Sequence, residues 1–165
     1  MDIRDERAGD GDDIRAVTSA AFSTVPYASG TEAAIVDALR AADALTVSLV
    51  AVEDGAVVGH AAFSPVTING RHDGWFGLGP VSVRPDRQRH GIGRQLIGVG
   101  LARLETQGAR GCVVLGDPAY YARFGFTHDP ALTFEGPPPI YFQRLVFSGA
   151  APTGRVAFHP GFDAQ

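Results

Sequence analysis

Not one lysine occurs among the 165 residues; all fourteen basic positions are arginine. That removes Schiff-base chemistry, a lysine nucleophile and the lysine of a P-loop together. Cysteine is almost as scarce. Cys112 stands alone, so the sequence holds no intrachain disulfide and no C-x-x-C metal pair. The five histidines, at 60, 72, 90, 128 and 159, show no H-x-x-x-H or comparable ligand spacing, and no metal is expected. Long apolar runs are missing too. The stretch ALTVSLVAV is about half the length needed to cross a bilayer. The opening MDIRDER is charged and lacks an apolar signal core, so the expectation is a cytoplasmic protein away from membranes. A net charge of −4 disfavours broad nucleic-acid binding, although a local basic patch can still serve a small anionic ligand.

What is present is ordinary for a globular chain: 45% hydrophobic and 19% charged residues. The length fits one domain over residues 1–165, able to bury about two-thirds of its unfolded surface. The first twenty or so residues read as a short strand, a turn and a helix, with Asp12 or Asp13 as cap. TEAAIVDALRAA, residues 31–42, reads as a second helix with Thr31 as N-cap and Ile35, Leu39 and Ala42 on one face. LTVSLVAVEDGAVVGHAAFSPV gives two strands around an Asp54-Gly55 hairpin turn.

GWFGLGPVSVRP is a strand with Gly77, Gly79 and Pro80 inside it, which suggests a bulge or a local loss of pairing. Beyond it, Ile92, Leu96 and Val99 form one helical stripe, and Ile97, Leu101 and Leu104 another. So wide an apolar surface belongs to a helix packed against a sheet. CVVLG, DPAYYARF and IYFQRLVF follow as strand, short helix and strand. Strand, helix, strand across 76–116 is a βαβ unit, so the class is α/β or α+β with some parallel pairing.

Gly91 and Gly93 follow a strand and open a helix, an arrangement that points backbone N–H groups at an anion. Arg84, Arg87, Arg89 and Arg94 crowd the same turn, with His90 among them. The expected guest is a phosphate or pyrophosphate; a tight strand-to-helix connection with solvated arginines is the plainer alternative. A dinucleotide fingerprint would need glycine where Leu96 stands, and a Walker A loop needs the absent lysine.

VSVRPDRQRHGIGRQLI resembles the acetyl-CoA motif of the GNAT N-acetyltransferases, Q/R-x-x-G-x-G/A, as Gln88-Arg89-His90-Gly91-Ile92-Gly93. The preceding V-x-V-x-P matches as Val81, Val83 and Pro85. The resemblance implies a central mixed, largely antiparallel sheet with a splayed parallel strand pair, flanked by helices. It implies that the turn, from Gln88 and Arg89 through His90, Gly91, Ile92 and Gly93 to Arg94, binds the coenzyme A pyrophosphate. It implies too that Val81, Ser82 and Val83 line the pantetheine, with the Val81 N–H at the thioester carbonyl and Val83 at a pantetheine amide.

LGDPAYYARFGF carries a second match, Y-x-x-x-G-F, in which Tyr121 would sit near the coenzyme sulfur. A phenol of pKa ~10 stays protonated at neutral pH and can donate to a departing thiolate. Tyr120 reads as packing. Asp117 departs from the family's usual asparagine. With the tail GRVAFHPGF, this stretch looks most like the bacterial YhbS-like subgroup. For the general base the candidates are Glu32, Glu53 and His60, with Glu32 preferred because the second helix flanks the acceptor cleft in this family. Cys112 reads as a core residue, and EGPPPIYF either lines the acceptor site or simply connects strands.

The implied function is acetyl transfer from acetyl-CoA to a primary amine, small-molecule or peptide, by direct attack in a ternary complex. A non-catalytic acyl-CoA sensor and a transferase using another acyl donor stay open as alternatives, as does a homodimer.

Overall fold

A computed structural model describes residues 1–165. The chain begins with β1 (Asp2–Asp5), α1 (Gly11–Phe22) and α2 (Glu32–Ala41), then the hairpin β2 (Val47–Glu53) and β3 (Ala56–Pro65). Asp54 and Gly55, at φ 49° and 78°, make the expected turn. There follow β4 (Thr67–Ile68), β5 (Trp75–Val83), α3 (Ile92–Thr106), β6 (Gly111–Leu115), α4 (Pro118–Tyr121), β7 (Leu132–Thr133), β8 (Phe142–Val146) and β9 (Gly154–Ala157).

Six strands form a sheet in the order β1-β2-β3-β5-β6-β8. Every neighbouring pair is antiparallel except β5 and β6. This is the mixed, largely antiparallel sheet that the motifs implied. α3 covers one face, where Ile92, Leu96, Ile97, Leu101 and Leu104 pack on Leu49, Ala61, Phe63 and Val114. Gly100 is required there, because any Cβ would overlap the Phe63 ring. α1 and α2 cover the other face through Ile14 and Val36 on Val50.

A second, three-stranded sheet, β4-β9-β7, was not legible in the sequence. Its Ile68, Leu132 and Val156 pack with Trp75, Val113 and Phe142. Cys112 and Val114, on either side of Val113, face α3. Strand alternation therefore puts the small sheet on the face opposite α3, beside α1 and α2. A gap is left between them.

Three local expectations need correction. α1 starts at Gly11 with Asp10 at its N-cap position, not Asp12 or Asp13. The Asp10 carboxylate accepts instead from Arg4 at 2.8 Å and from the Arg7 N–H at 2.7 Å, fastening β1 to the helix entrance. α2 ends one residue before Ala42, which is exposed, and Thr31 makes no side-chain cap. Val99 is 38% exposed, so the first stripe of α3 reaches the core only through Ile92 and Leu96.

The irregularity in β5 is where expected and more extensive. Against β3, the register runs Gly59↔Val83 and Ala61↔Val81, then jumps to Phe63↔Leu78. Gly79 and Pro80 together stand opposite Ala62, a bulge. Against β6, pairing starts at Trp75↔Gly111 and stops at Leu78↔Val114. Past the bulge, β5 keeps one neighbour and loses the other.

Candidate active site

The glycine turn begins with Arg89 at φ 66° and Gly91 at φ 78°, both left-handed, and α3 starts immediately after. The first amide to close a helical bond is that of Gln95, onto the Gly91 carbonyl at 3.0 Å. The N–H groups of Ile92, Gly93 and Arg94 therefore point out of the helix end, a natural anion cradle. His90 braces the loop, its Nδ1 donating to the Gln88 carbonyl at 2.8 Å.

The four arginines divide into two pairs. Arg84 is held by Asp86 at 2.6 Å, and Arg87 by both oxygens of Glu53 at 2.9 and 2.7 Å. Arg89 and Arg94 have no ion-pair partner, and neither does Arg123, whose guanidinium lies 4.4 Å above the Tyr120 ring. These three, with Arg87, border a cavity of about 370 Å³ floored by Gly91, Ile92 and Gly93. Sequence reasoning missed Arg123; its place two residues after Tyr121, in the match already singled out, was the available signal.

The open strand runs away from this cavity. Arg84 donates its N–H to the Val58 carbonyl at 2.8 Å. By antiparallel alternation Ser82·His60 is then a hydrogen-bonded pair, and Val81 and Val83 turn their N–H and C=O groups to the β6 side. No strand meets them there. The Val83 carbonyl accepts from Gln88 Nε2 at 3.0 Å. A crevice of about 270 Å³ follows this edge, lined by Val81, Val83, Gly93, Tyr120 and Tyr121 among others. Ser82 meets it only marginally: its side chain is buried and its hydroxyl sits 3.2 Å from that of Thr18 on α1.

Tyr121 packs edge-on against Tyr120 and Phe126, with ring centroids at 5.0 and 5.9 Å. Burial pushes its phenol up to about 12, so the hydroxyl keeps its proton at neutral pH. Tyr120 does more than pack, since it lines both the crevice and the arginine cavity. Asp117 is a helix cap, accepting from the Ala119 N–H at 3.0 Å. Cys112 is fully buried, and burial raises its thiol far above the range of a reactive cysteine.

Past the bulge lies a larger cavity, about 650 Å³, in the gap between α1, α2 and the small sheet. Gly79 and Pro80 form part of its wall, and Phe22 borders both it and the crevice. Of the three base candidates only Glu32 lines it. Ser29 fixes that carboxylate by its N–H (3.1 Å) and hydroxyl (3.0 Å), both to Oε2, leaving Oε1 free. Glu53 is committed to Arg87. His60 is fully buried, its Nε2 2.8 Å from Ser48 Oγ. Ser48 in turn donates to Glu6 at 2.7 Å, which leaves His60 Nδ1 as a buried acceptor with no partner. From EGPPPIYF, Glu135 reaches the cavity wall and the prolines do not.

Anion cradle, open strand edge and large cavity thus lie in sequence along one groove beside a mixed sheet, the architecture of a GNAT acyltransferase. Residues 45–128 match the acetyltransferase (GNAT) domain family model. The chain belongs to the GNAT acetyltransferase family. It is 37% identical over 144 residues to the uncharacterized N-acetyltransferase YhbS of Escherichia coli K12, covering 83% of this chain and 86% of that protein. The crystal structure of YhbS in complex with CoA superposes with a TM-score of 0.89, covering 98% of this chain and 91% of that one. A GNAT family acetyltransferase from Brucella melitensis, in complex with acetyl-CoA, gives the same TM-score at 56% identity, covering 98% and 97% of the two chains.

Proposed function

We propose that this chain, acting as one domain over residues 1–165, transfers an acetyl group from acetyl-CoA to a primary amine by direct attack in a ternary complex. The observation that carries the reading is the opening of β5 from β6 past Leu78 and Val114, which frees the backbone of Val81 and Val83 between an anion cradle and a cavity. The acetyl-CoA and CoA in the Brucella and E. coli relatives support it.

The Ile92–Arg94 amides, with Arg89, Arg94 and Arg123, suit a pyrophosphate. Val83 and its neighbours suit the amides of a pantetheine arm. With the thioester at the bulge, the amine nitrogen attacks the carbonyl carbon, and the carbon–sulfur bond breaks. The Val81 N–H faces the oxygen on which negative charge develops. Glu32 Oε1, directly or through water, takes the proton that the ammonium must lose. The Tyr121 hydroxyl, which makes no hydrogen bond within the chain, donates to the departing sulfur. Most of the rate enhancement then comes from positioning two reactants in one groove.

The test is thiol release from acetyl-CoA across a panel of amines, together with calorimetry of coenzyme A binding. Binding with amine-dependent release supports acetyl transfer. Binding without release from any amine would identify an acyl-CoA sensor instead.

A further inference from the structure

The large cavity deepens the acetyl-transfer reading, on which the following rests. Its walls are aromatic. Phe134 meets Phe158 edge-on at 5.0 Å, and Phe158 meets Phe162 at 5.0 Å. Phe158 lies directly over Gly77 of β5, whose missing Cβ would stand only 2.6 Å from the ring. Phe162 packs with Ile35 and Leu39 of α2. An arc of phenylalanines therefore spans from the small sheet to α2 and closes the gap between them.

Charge in the cavity is one-sided. Glu32 lies one helical turn before Ile35, and Asp163 directly follows Phe162, so both carboxylates belong to the α2 side. Neither has an ion-pair partner. Arg155 is the one arginine in the lining, and it faces Glu135 at 3.8 Å. The walls therefore carry more carboxylate than guanidinium, beside an apolar surface large enough for a small organic molecule.

Only Leu78, Gly79, Pro80 and Leu115 of this lining fall within residues 45–128, the stretch matched to the family model. The aromatic arc and both free carboxylates come from α2 and from the segments that follow β7 and β9.

We propose that the acceptor is an amine with an aromatic or branched apolar body and no carboxylate, selected by the arc Phe134–Phe158–Phe162 together with Glu32 and Asp163. The apolar body fits the phenylalanines, and the ammonium is drawn by the two carboxylates and by the aromatic faces. An acceptor bearing its own carboxylate meets like charge. A polyamine leaves its remote ammonium groups against phenylalanine without partners, a costly desolvation.

Thiol release from acetyl-CoA, with 2-phenylethylamine, 3-methylbutylamine, spermidine and glutamate as acceptors, tests this. The two apolar amines should exceed spermidine about 10-fold in kcat/KM and glutamate about 100-fold. Asp163 is exposed, so Asp163→Asn leaves the fold untouched. It should raise KM for 2-phenylethylamine about fivefold, with kcat unchanged. A preference for spermidine or glutamate, an unchanged KM in the variant, or coenzyme binding with no release from either apolar amine would overturn the acceptor class. Failure of coenzyme A to bind in calorimetry would instead bring down the acetyl-transfer reading beneath it.

Discussion

At one end of the groove, consecutive backbone amides from Ile92 to Arg94 sit among Arg89, Arg94 and Arg123. At the other, phenylalanines from three separate segments enclose a cavity edged by Glu32 and Asp163. The first end is positive, built mainly of main chain and, Arg123 and Tyr120 apart, continuous in sequence. The second carries an excess of carboxylate, is assembled across the whole chain and is built of side chains. A backbone cradle binds its ligand through groups every residue has, so it demands glycines and a helix end and little else. A side-chain cavity can be rebuilt without touching the cradle. Divided this way, coenzyme recognition can stay fixed while acceptor choice varies.

The largest expected effect breaks the first end alone. Gly91 sits at φ 78°, where a substitution would strain the backbone, but Gly93 does not. A Cβ at Gly93 would lie 3.6 Å from Val83 and 3.7 Å from the Tyr120 hydroxyl, ordinary contacts. Gly93→Glu therefore folds and places a carboxylate in the anion cavity. Coenzyme A affinity by calorimetry should fall about 100-fold or more, with the circular dichroism spectrum unchanged.

Between the two ends stands Tyr121. Tyr121→Phe should lower kcat about 100-fold while the coenzyme A dissociation constant stays within about threefold. Unchanged kcat would remove the residue from the chemistry and leave it as packing.

A smaller effect sharpens the comparison within the cradle. Arg94→Gln should weaken coenzyme A binding about 10-fold and flatten its salt dependence, because Arg94 is unpaired. Arg84→Gln should change affinity less than about twofold, since Asp86 already holds that side chain. Equal losses would contradict the division of the turn into paired and free arginines.

The smallest effect on activity belongs to neither end. Burial holds the folded value of His60 at about 4, below the ordinary 6.5, with Glu6 and Arg40 as its charged neighbours. The unfolded chain therefore takes up this proton first as the pH falls. The stability contributed by the neutral ring is complete above about pH 6.5 and is lost on acidification toward pH 4, about 3 kcal/mol in all. Thermal melts should show this slope from pH 6.5 to 5 and lose it in His60→Gln. That control isolates the contribution of the buried ring to acid unfolding.

The same contrast explains what the sequence allowed. Gly91, Gly93, the broken stretch GPVSV and Tyr121 lie in short contiguous runs. The glycines marked an anion turn and the proline a break in pairing, and the family resemblance of those runs supplied the open edge and Tyr121. The acceptor cavity was legible only as Glu32 and a hint from EGPPPIYF, because Phe22, Phe134 and Phe158 meet only after folding. The small sheet that carries Phe158 has strands of two to four residues, too short for any periodicity. The neutralisation of Arg87 by Glu53 bridges 34 positions and has no local signature. α1 starts at Gly11, ahead of Asp12 and Asp13, where Arg4 and the Arg7 N–H hold the Asp10 carboxylate, contacts with no signature in the helical pattern.

The central claim is that β5 opens from β6 to present the Val81 and Val83 amides to a coenzyme. Amide hydrogen exchange, read residue by residue by NMR with and without acetyl-CoA, tests it directly. In the free chain, Val81 and Val83 should exchange rapidly while Ser82, bonded to His60, is protected; acetyl-CoA should then protect Val81 and Val83 as well. Val81 and Val83 protected from the start, or still exchanging rapidly at saturating acetyl-CoA, would contradict the account.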